Sequence, residues 1–153
     1  MKKRKAPKAH AVPALVVTRS AIETKKLVYV LVANKKVSYS KGKSSIVYIG
    51  TTTKGLKRVA ASAAYRALSV LKQKGIRQLS AYILTYRGIP GLKDTHKHLE
   101  RAALGIFNFQ YGDKPLANKQ GVDFWQANKA FTFFKPRTLL KKLQRFEELD
   151  AAE

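Results

Sequence analysis

Two tyrosines and an arginine in the first half of the chain are spaced so that they can share one pocket. Tyr29 lies in a run of alternating apolar residues, Tyr48 lies in a second run rich in β-branched residues, and Arg58 begins an apolar-periodic segment. On a helix, three- and four-residue steps place Arg58, Ser62, Tyr65 and Arg66 along one edge, so Arg58 has neighbours that can share a phosphate. The pattern therefore indicates a phosphate-binding pocket.

The net charge favours a polyanionic partner. Thirty-one Lys and Arg against nine Asp and Glu give +22, and residues 24–93 contain no acidic residue. Such a field attracts polyanions, so nucleic acid is the expected partner. No apolar run approaches the roughly 18 residues of a membrane span, which predicts a soluble, cytoplasmic, nucleoid-associated protein. The absence of cysteine excludes disulfides, zinc ribbons and cysteine nucleophiles.

Carboxylates are scarce, and this limits any metal chemistry. Four of the nine acids lie in the last seven residues, and the others are Glu23, Asp94, Glu100, Asp113 and Asp123. Two-metal sites usually need several clustered carboxylates. A single-metal site needs only one, so the sequence favours that kind of site.

The chain pattern predicts an α+β fold with a small antiparallel three-stranded sheet flanked by helices. Residues 27–33 and 46–49 are read as strands, with a lysine- and serine-rich hairpin loop between them over residues 34–45 and hydroxyl caps at residues 51–53 before a helix over residues 56–74. A third strand is expected over residues 79–87, a second helix from Asp94 or Thr95 through Phe107, and a last helix from Pro136.

Three segments follow from these elements. Residues 1–20 read as a basic, flexible arm, for which a secretory signal is the rival interpretation, residues 21–121 as one domain, and residues 122–153 as an aromatic segment and helix packed on it. The aromatic residues of that segment are Phe124, Trp125, Phe131, Phe133 and Phe134. They are expected to cover the core, and base stacking is the alternative. The leucine stripe of the last helix can dock on the domain or join two copies, so the protein is a monomer or a homodimer.

Five segments together resemble the GIY-YIG nuclease family. Leu27-Val28-Tyr29 stands where the family has its first tripeptide and keeps its tyrosine, Tyr48-Ile49-Gly50 matches the second, and Arg58 lies eight residues after Gly50. Leu99-Glu100-Arg101-Ala102 resembles the segment with the metal-binding glutamate, and Lys114-Pro115-Leu116-Ala117-Asn118 resembles the closing segment. Their order over about 90 residues fits one compact domain.

The resemblance implies a metal-dependent DNA endonuclease with a fold of that family, acting on duplex or branched DNA. Glu100 would hold one Mg²⁺ or Mn²⁺, Tyr29 would take the proton of the attacking water, Tyr48 would hold water or phosphate in line, and Arg58 would contact the non-bridging oxygens. Ser62 departs from the histidine or tyrosine that many members place there. A degenerate, non-catalytic nucleic-acid-binding domain, or a basic nucleoid or ribosome-associated protein, is therefore the alternative. A membrane-surface role lacks a suitably amphipathic helix.

Eight further residues are candidate substrate contacts. Lys54 and Lys57 flank the first helix, where they either contact phosphate or favour a tyrosinate. Four lysines in the predicted hairpin loop either contact a groove or are simply solvated: Lys35, Lys36, Lys41 and Lys43. Arg66 can share the phosphate with Arg58, and Asn118 can tie backbone groups together near the site.

Overall fold

The computed structural model describes residues 24–152, and these form an α+β fold. The elements in chain order are β1 (Leu27–Tyr39), β2 (Gly42–Thr52), α1 (Leu56–Val70), β3 (Leu79–Leu84), α2 (Thr95–Tyr111), α3 (Phe124–Ala130) and α4 (Pro136–Ala151). The three strands form an antiparallel sheet in the order β2-β1-β3. The predicted α+β class with a three-stranded antiparallel sheet is confirmed. The predicted basic arm, residues 1–20, lies outside the described residues.

Strand β1 is central and is buried on both faces. Its residues Val28, Val30 and Val32 face a core built with α2, α3 and α4, whereas Tyr29 and Leu31 face a second core that includes residues of α1. The alternation of side chains along a strand explains this division. Because both faces are covered, the sheet is a rigid layer from which the side chains of the site project.

The predicted loop over residues 34–45 is instead a continuation of the hairpin. Strands β1 and β2 remain paired as far as Tyr39 and Gly42, with irregular register near Val32. The lysine- and serine-rich composition predicted a loop, but packing holds this end of the hairpin in place. The ring of Tyr39 meets that of Phe107 edge-on with centroids 5.2 Å apart, and its hydroxyl donates to the carbonyl of Ile46.

Neither α1 nor α2 begins with the side-chain cap that the sequence predicted. Gly55 precedes α1, and Thr52, which was expected to cap the helix, still belongs to β2 and accepts from the Lys54 amide. Asp94 precedes α2 with a left-handed backbone (φ 54°), and its side chain makes no cap hydrogen bond.

The predicted ends of three elements also shift. Helix α1 ends at Val70 rather than at residue 74, and α2 continues to Tyr111. Strand β3 ends at Leu84 rather than at residue 87. Leu84 pairs with Val28, next to the first residue of β1, so β3 has almost no partner strand beyond that point.

Helix α4 docks on the sheet through the predicted leucine stripe. Leu139 and Leu143 are buried in the core. The Glu147 carboxylate accepts from the Ser44 hydroxyl and from the Ser45 amide at 2.7 Å, where β2 is irregular. Since the stripe faces this chain's own core, a dimer contact through α4 would have to use the outer face of the helix.

The aromatic residues of the C-terminal third divide into two groups. Phe131 and Phe134 pack against the core, as predicted. Phe124, Trp125 and Phe133 are 56%, 72% and 39% exposed, so the prediction that they cover the core is wrong. The short helix α3 instead buries Ala127, which sits against Gly105 of α2. The small residues allow the two helices to approach closely.

Candidate functional site

The site lies at the free edge of β2. The Ala117 amide donates to the Val47 carbonyl at 2.8 Å, and the Asn118 side chain both accepts from the Ile49 amide at 3.0 Å and donates to the Ile49 carbonyl at 2.8 Å. An uncovered edge strand would leave these groups unpaired. The predicted role of Asn118 in tying backbone groups is confirmed, and both polar atoms of its side chain are used in that role.

Beside this edge is an open cleft of about 470 Å³. Strand β2, helices α1 and α2 and the segment between α2 and α3 form its walls. The polar and charged side chains in those walls include Tyr48, Arg66, Glu100, Arg101, Asn118 and Lys119. The structure therefore brings together four of the predicted site residues from separate parts of the chain: Tyr48, Arg66, Glu100 and Asn118.

Glu100 is the carboxylate that faces this cleft from α2. Burial raises its pKa from the ordinary 4.5 to about 7, although the Arg101 charge and a hydrogen bond from the Thr51 backbone oppose the shift. Thr51 is two residues beyond Ile49 along the same edge of β2. A carboxyl group with a pKa near 7 is poised to bind a proton or a cation at neutral pH.

Replacement of Glu100 by glutamine should increase stability above neutral pH. The folded state favours the protonated carboxyl, so wild-type stability falls as the pH rises from the ordinary pKa of 4.5 through about 7. Glu100→Gln does not ionise, and its free energy of unfolding should exceed that of the wild type at alkaline pH by on the order of 2 kcal/mol. Urea unfolding without divalent metal, between about pH 5 and about pH 9, measures the difference. Equal curves at both pH values would contradict the buried position of the carboxyl.

Two tyrosines lie beside the cleft at different depths. Tyr48 lines it, whereas Tyr29 is only 2% exposed and lies behind it, with ring centroids 5.6 Å apart. The Tyr29 hydroxyl donates to the Ser62 hydroxyl at 2.6 Å. Burial raises the pKa of Tyr48, and its charge interaction and hydrogen bond with Tyr29 raise it further. Tyr48 is therefore a proton donor at neutral pH.

Helix α1 contributes Arg66 to the cleft wall. Its guanidinium carbon lies 3.7 Å from the centre of the Tyr48 ring, and its Nη1 donates to the Ser62 hydroxyl at 2.8 Å. Its Nε is buried without a hydrogen-bond partner in the structure as described. Arg58 lies two turns earlier on the same helix, about 12 Å along the axis, and is exposed. Arg58 is not among the residues that line the cleft.

Ser62 stands in place of the ring expected from the family pattern and makes a specific connection. Its hydroxyl accepts from both Tyr29 and Arg66 and so joins β1 to the guanidinium. Tyr65, on the same edge of the helix, is 59% exposed. The sequence pattern identified the edge of the helix that carries Arg58, Ser62 and Arg66. It placed Arg58 at the cleft, whereas the structure places Arg66 there.

The predicted lysine contacts lie away from the cleft walls. Lys54 and Lys57 are exposed before and within the first turn of α1, and Lys35 lies against Gly75. Lys36 and Lys43 are exposed on the hairpin strands. The Lys41 amide donates to the Tyr111 carbonyl at the end of α2. Since Tyr111 is about 16 Å from Glu100 along the helix axis, the hairpin end does not reach the carboxylate.

Two cations in the cleft were not predicted. Arg101 and Lys119 follow Glu100 and Asn118 directly in the chain, and both line the cleft. Their positions next to predicted site residues were the only available signal. Together with Arg66 they give three positive groups against the two carboxylates of Glu100 and Asp123, an excess of positive charge that favours an anionic ligand.

Comparisons of the chain with protein-family models, with curated proteins and with solved structures gave no match. Across residues 24–152, no group of three or more His, Cys, Asp or Glu side chains is arranged to hold a metal ion. No helix in that part of the chain is both long and apolar enough to cross a membrane. The geometry is therefore that of a basic cleft lined by two carboxylates, Glu100 and Asp123, and by Tyr48, with Tyr29 buried behind it.

Gly50 provides the space that Tyr48 occupies. A Cβ atom at Gly50 would lie 2.5 Å from the Tyr48 hydroxyl oxygen. We expect Gly50→Ala to displace the Tyr48 ring and to lower the free energy of unfolding by about 1–3 kcal/mol, measured by urea denaturation. Gly88→Ala is the matched control, because no atom lies within 4 Å of its added Cβ. Equal effects of the two substitutions would show that the close approach at Gly50 is unimportant.

Proposed function

We propose that the protein is a metal-dependent endonuclease that hydrolyses DNA phosphodiester bonds with a single cation held on Glu100. The observation that carries the proposal is the convergence of Glu100, Tyr48 and Arg66 from three separate elements on one cleft. The net charge of +22 supports a polyanionic substrate. The resemblance to the GIY-YIG nucleases, carried by the Tyr29 and Tyr48-Ile49-Gly50 segments, supports the reaction type.

The donor set fits one magnesium or manganese ion. Mg²⁺ is commonly held by one or two carboxylates, with water and substrate phosphate oxygens as the remaining ligands. Glu100 offers one carboxylate, and Asp123 lines the same cleft while its Oδ1 accepts from the Gln126 amide. A bound cation would act as a Lewis acid toward the phosphate and the departing oxygen.

The cationic and phenolic groups of the chain can bind and orient the phosphate. Arg66 lines the cleft, so its planar guanidinium can offer donors to a non-bridging phosphate oxygen. Tyr48 keeps its proton and can donate to phosphate or to the attacking water. Arg101 and Lys119 add positive charge around the same cleft.

Tyr29 is the proposed acceptor of the water's proton. To act in this way Tyr29 must first release its own proton to solvent, after which the Ser62 hydroxyl, which accepts from Tyr29 in this structure, could rotate to donate to the phenolate. The guanidinium of Arg66 donates to the same Ser62 oxygen. Ser62 and Arg66 would then both stabilise the phenolate. Ser62 stands at the position where many members of the GIY-YIG family carry a histidine or tyrosine.

A non-catalytic nucleic-acid-binding protein is the second candidate. The depth of Tyr29, only 2% exposed, and the position of Arg58 outside the cleft walls favour it. Binding alone requires the positive charge of the cleft and no ionised tyrosine.

Cleavage of supercoiled plasmid DNA separates the two candidates. A nuclease should cut with Mg²⁺ or Mn²⁺ and stop when the metal is chelated, while salt-sensitive binding persists. Binding without cutting of duplex, branched or single-stranded DNA, and of RNA, would reject the nuclease and support the binding protein. Discrete fragments would further indicate that the enzyme recognises a sequence.

A further inference from the structure

A second groove continues from the cleft along α1. It has a volume of about 240 Å³, and Arg66 and Lys119 belong to the walls of both cavities. Its other walls are Tyr65, Leu68, Ser69 and Ala117. Tyr65 and Leu68 are 59% and 69% exposed, although they are large apolar groups. The cleft and this groove, which we call the Tyr65 groove, thus form one path with a charged end and an apolar end.

Cations flank the Tyr65 ring. The Lys119 ammonium lies 3.5 Å from the Tyr65 hydroxyl and 5.6 Å from the ring centre, and the Arg66 guanidinium carbon lies 5.9 Å from the same centre. An exposed aromatic ring beside cations is the kind of surface on which proteins stack nucleobases while holding the adjacent phosphates. The same exposed surface could bind a second protein chain, but the positive charge disfavours another copy of this basic protein.

The size of the groove limits its occupant. The volume of about 240 Å³ is roughly eight times the ~30 Å³ that a water molecule takes up in the liquid. This is room for one planar base. A base can enter only if it is unpaired, because bases within a duplex present their edges and not their faces to the outside.

We propose that the Tyr65 groove binds an unpaired nucleobase next to the phosphate held in the cleft. The substrate class is then DNA with a single-stranded or frayed nucleotide at the cut, such as an overhang or a branch. This substrate class rests on the proposed function, since it takes the cleft as the phosphate site. Leu68 and Ala117 would contact the base edge, and Arg66 and Lys119 would contact the phosphate on its flank.

The test uses DNA in which 2-aminopurine replaces the first unpaired base of an overhang. Duplexes with 5′ and with 3′ overhangs and a blunt duplex are titrated with full-length Glu100→Gln protein, so that cutting does not interfere. One overhang should show quenched fluorescence on binding. Adding Tyr65→Ala should abolish the quenching and weaken overhang binding about 10-fold, with little change for the blunt duplex. Tyr65→Phe should retain both signals because the ring remains.

Phe109→Ala is the matched control, since Phe109 is a 76% exposed aromatic residue that lines neither cavity. Equal weakening of blunt and overhang binding by Tyr65→Ala, or a loss in Tyr65→Phe, would overturn base stacking in the groove. A change in sedimentation of the free protein in place of a change in DNA binding would also overturn it and identify a protein contact. Metal-dependent plasmid cutting without quenching would refute this inference alone, whereas quenching without cutting would refute only the nuclease.

Discussion

Glu100→Gln should reduce the rate of metal-dependent DNA cleavage by at least about 100-fold, the scale seen when one preorganised electrostatic group is removed from an active site. The cleft offers no clear substitute, because Asp123 already accepts from the Gln126 amide. The glutamine keeps the shape of the side chain and loses the charge that a divalent cation requires. Single-turnover plasmid cleavage at saturating protein would isolate the chemical step from binding.

DNA binding by Glu100→Gln should be retained or improved, since the substitution removes a negative charge from a basic cleft. Glu148→Gln is the matched control, because Glu148 is an exposed glutamate on α4 that pairs only with the nearby Arg145 among the described residues. A variant that still cuts at the wild-type rate would remove Glu100 from the mechanism. If Glu148→Gln lost cutting to the same extent, the effect would come from the change in net charge and not from the position of Glu100.

The pH dependence of cleavage follows from the same carboxyl. With a pKa of about 7 in the absence of metal, Glu100 binds a proton that a cation must displace. Cleavage at low Mg²⁺ should therefore rise through neutral pH, and higher Mg²⁺ should move the midpoint to lower pH. The ionised carboxylate that the metal needs is also the form that burial disfavours, so activity and stability oppose each other at this position.

Local sequence patterns predicted the sheet and the three long helices, α1, α2 and α4. They could do so because the periodicity of apolar residues indicates which face of a segment is buried. The alternation of residues 27–33 predicted a strand, and the leucine stripe from Pro136 predicted a helix with one apolar face, which the structure docks on the core. The hairpin end was read as a loop because Lys35, Lys36 and Lys43 are polar. Contacts of Tyr39 with residues far along the chain decide its structure, and single-sequence patterns do not contain them.

The site was predicted in part for a similar reason. The resemblance to the GIY-YIG nucleases selected Tyr48, Glu100 and Asn118, and the structure places all three in the walls of one cleft. The helix edge that carries Arg58, Ser62 and Arg66 was also identified from spacing. The turn of α1 that meets the cleft depends on how the helix packs over Tyr29. That position is visible only from the contact between the Ser62 and Tyr29 hydroxyls, which the sequence pattern does not contain.

Arg66→Ala should reduce cleavage on the order of 100-fold, whereas Arg58→Ala should weaken DNA binding only modestly. Arg66 stacks on Tyr48, holds Ser62 and lines the cleft. Arg58 is exposed two turns away, so its expected contribution is a screened phosphate contact that reduces the salt dependence of binding slightly when it is lost. The two substitutions remove the same side chain from one helix, and each therefore controls for the other.

Arg66→Lys separates the charge of Arg66 from its geometry. Lysine keeps the positive charge but cannot stack a planar guanidinium on Tyr48 while bonding to Ser62. Its cleavage rate should therefore stay close to that of Arg66→Ala, with urea unfolding used to show that the variant is folded. If Arg58→Ala abolishes cleavage and Arg66→Ala does not, the cleft must rearrange when DNA binds, because the structure places Arg58 outside its walls. Such a result would restore the arginine that the family resemblance selected and leave Arg66 as a packing residue of Tyr48.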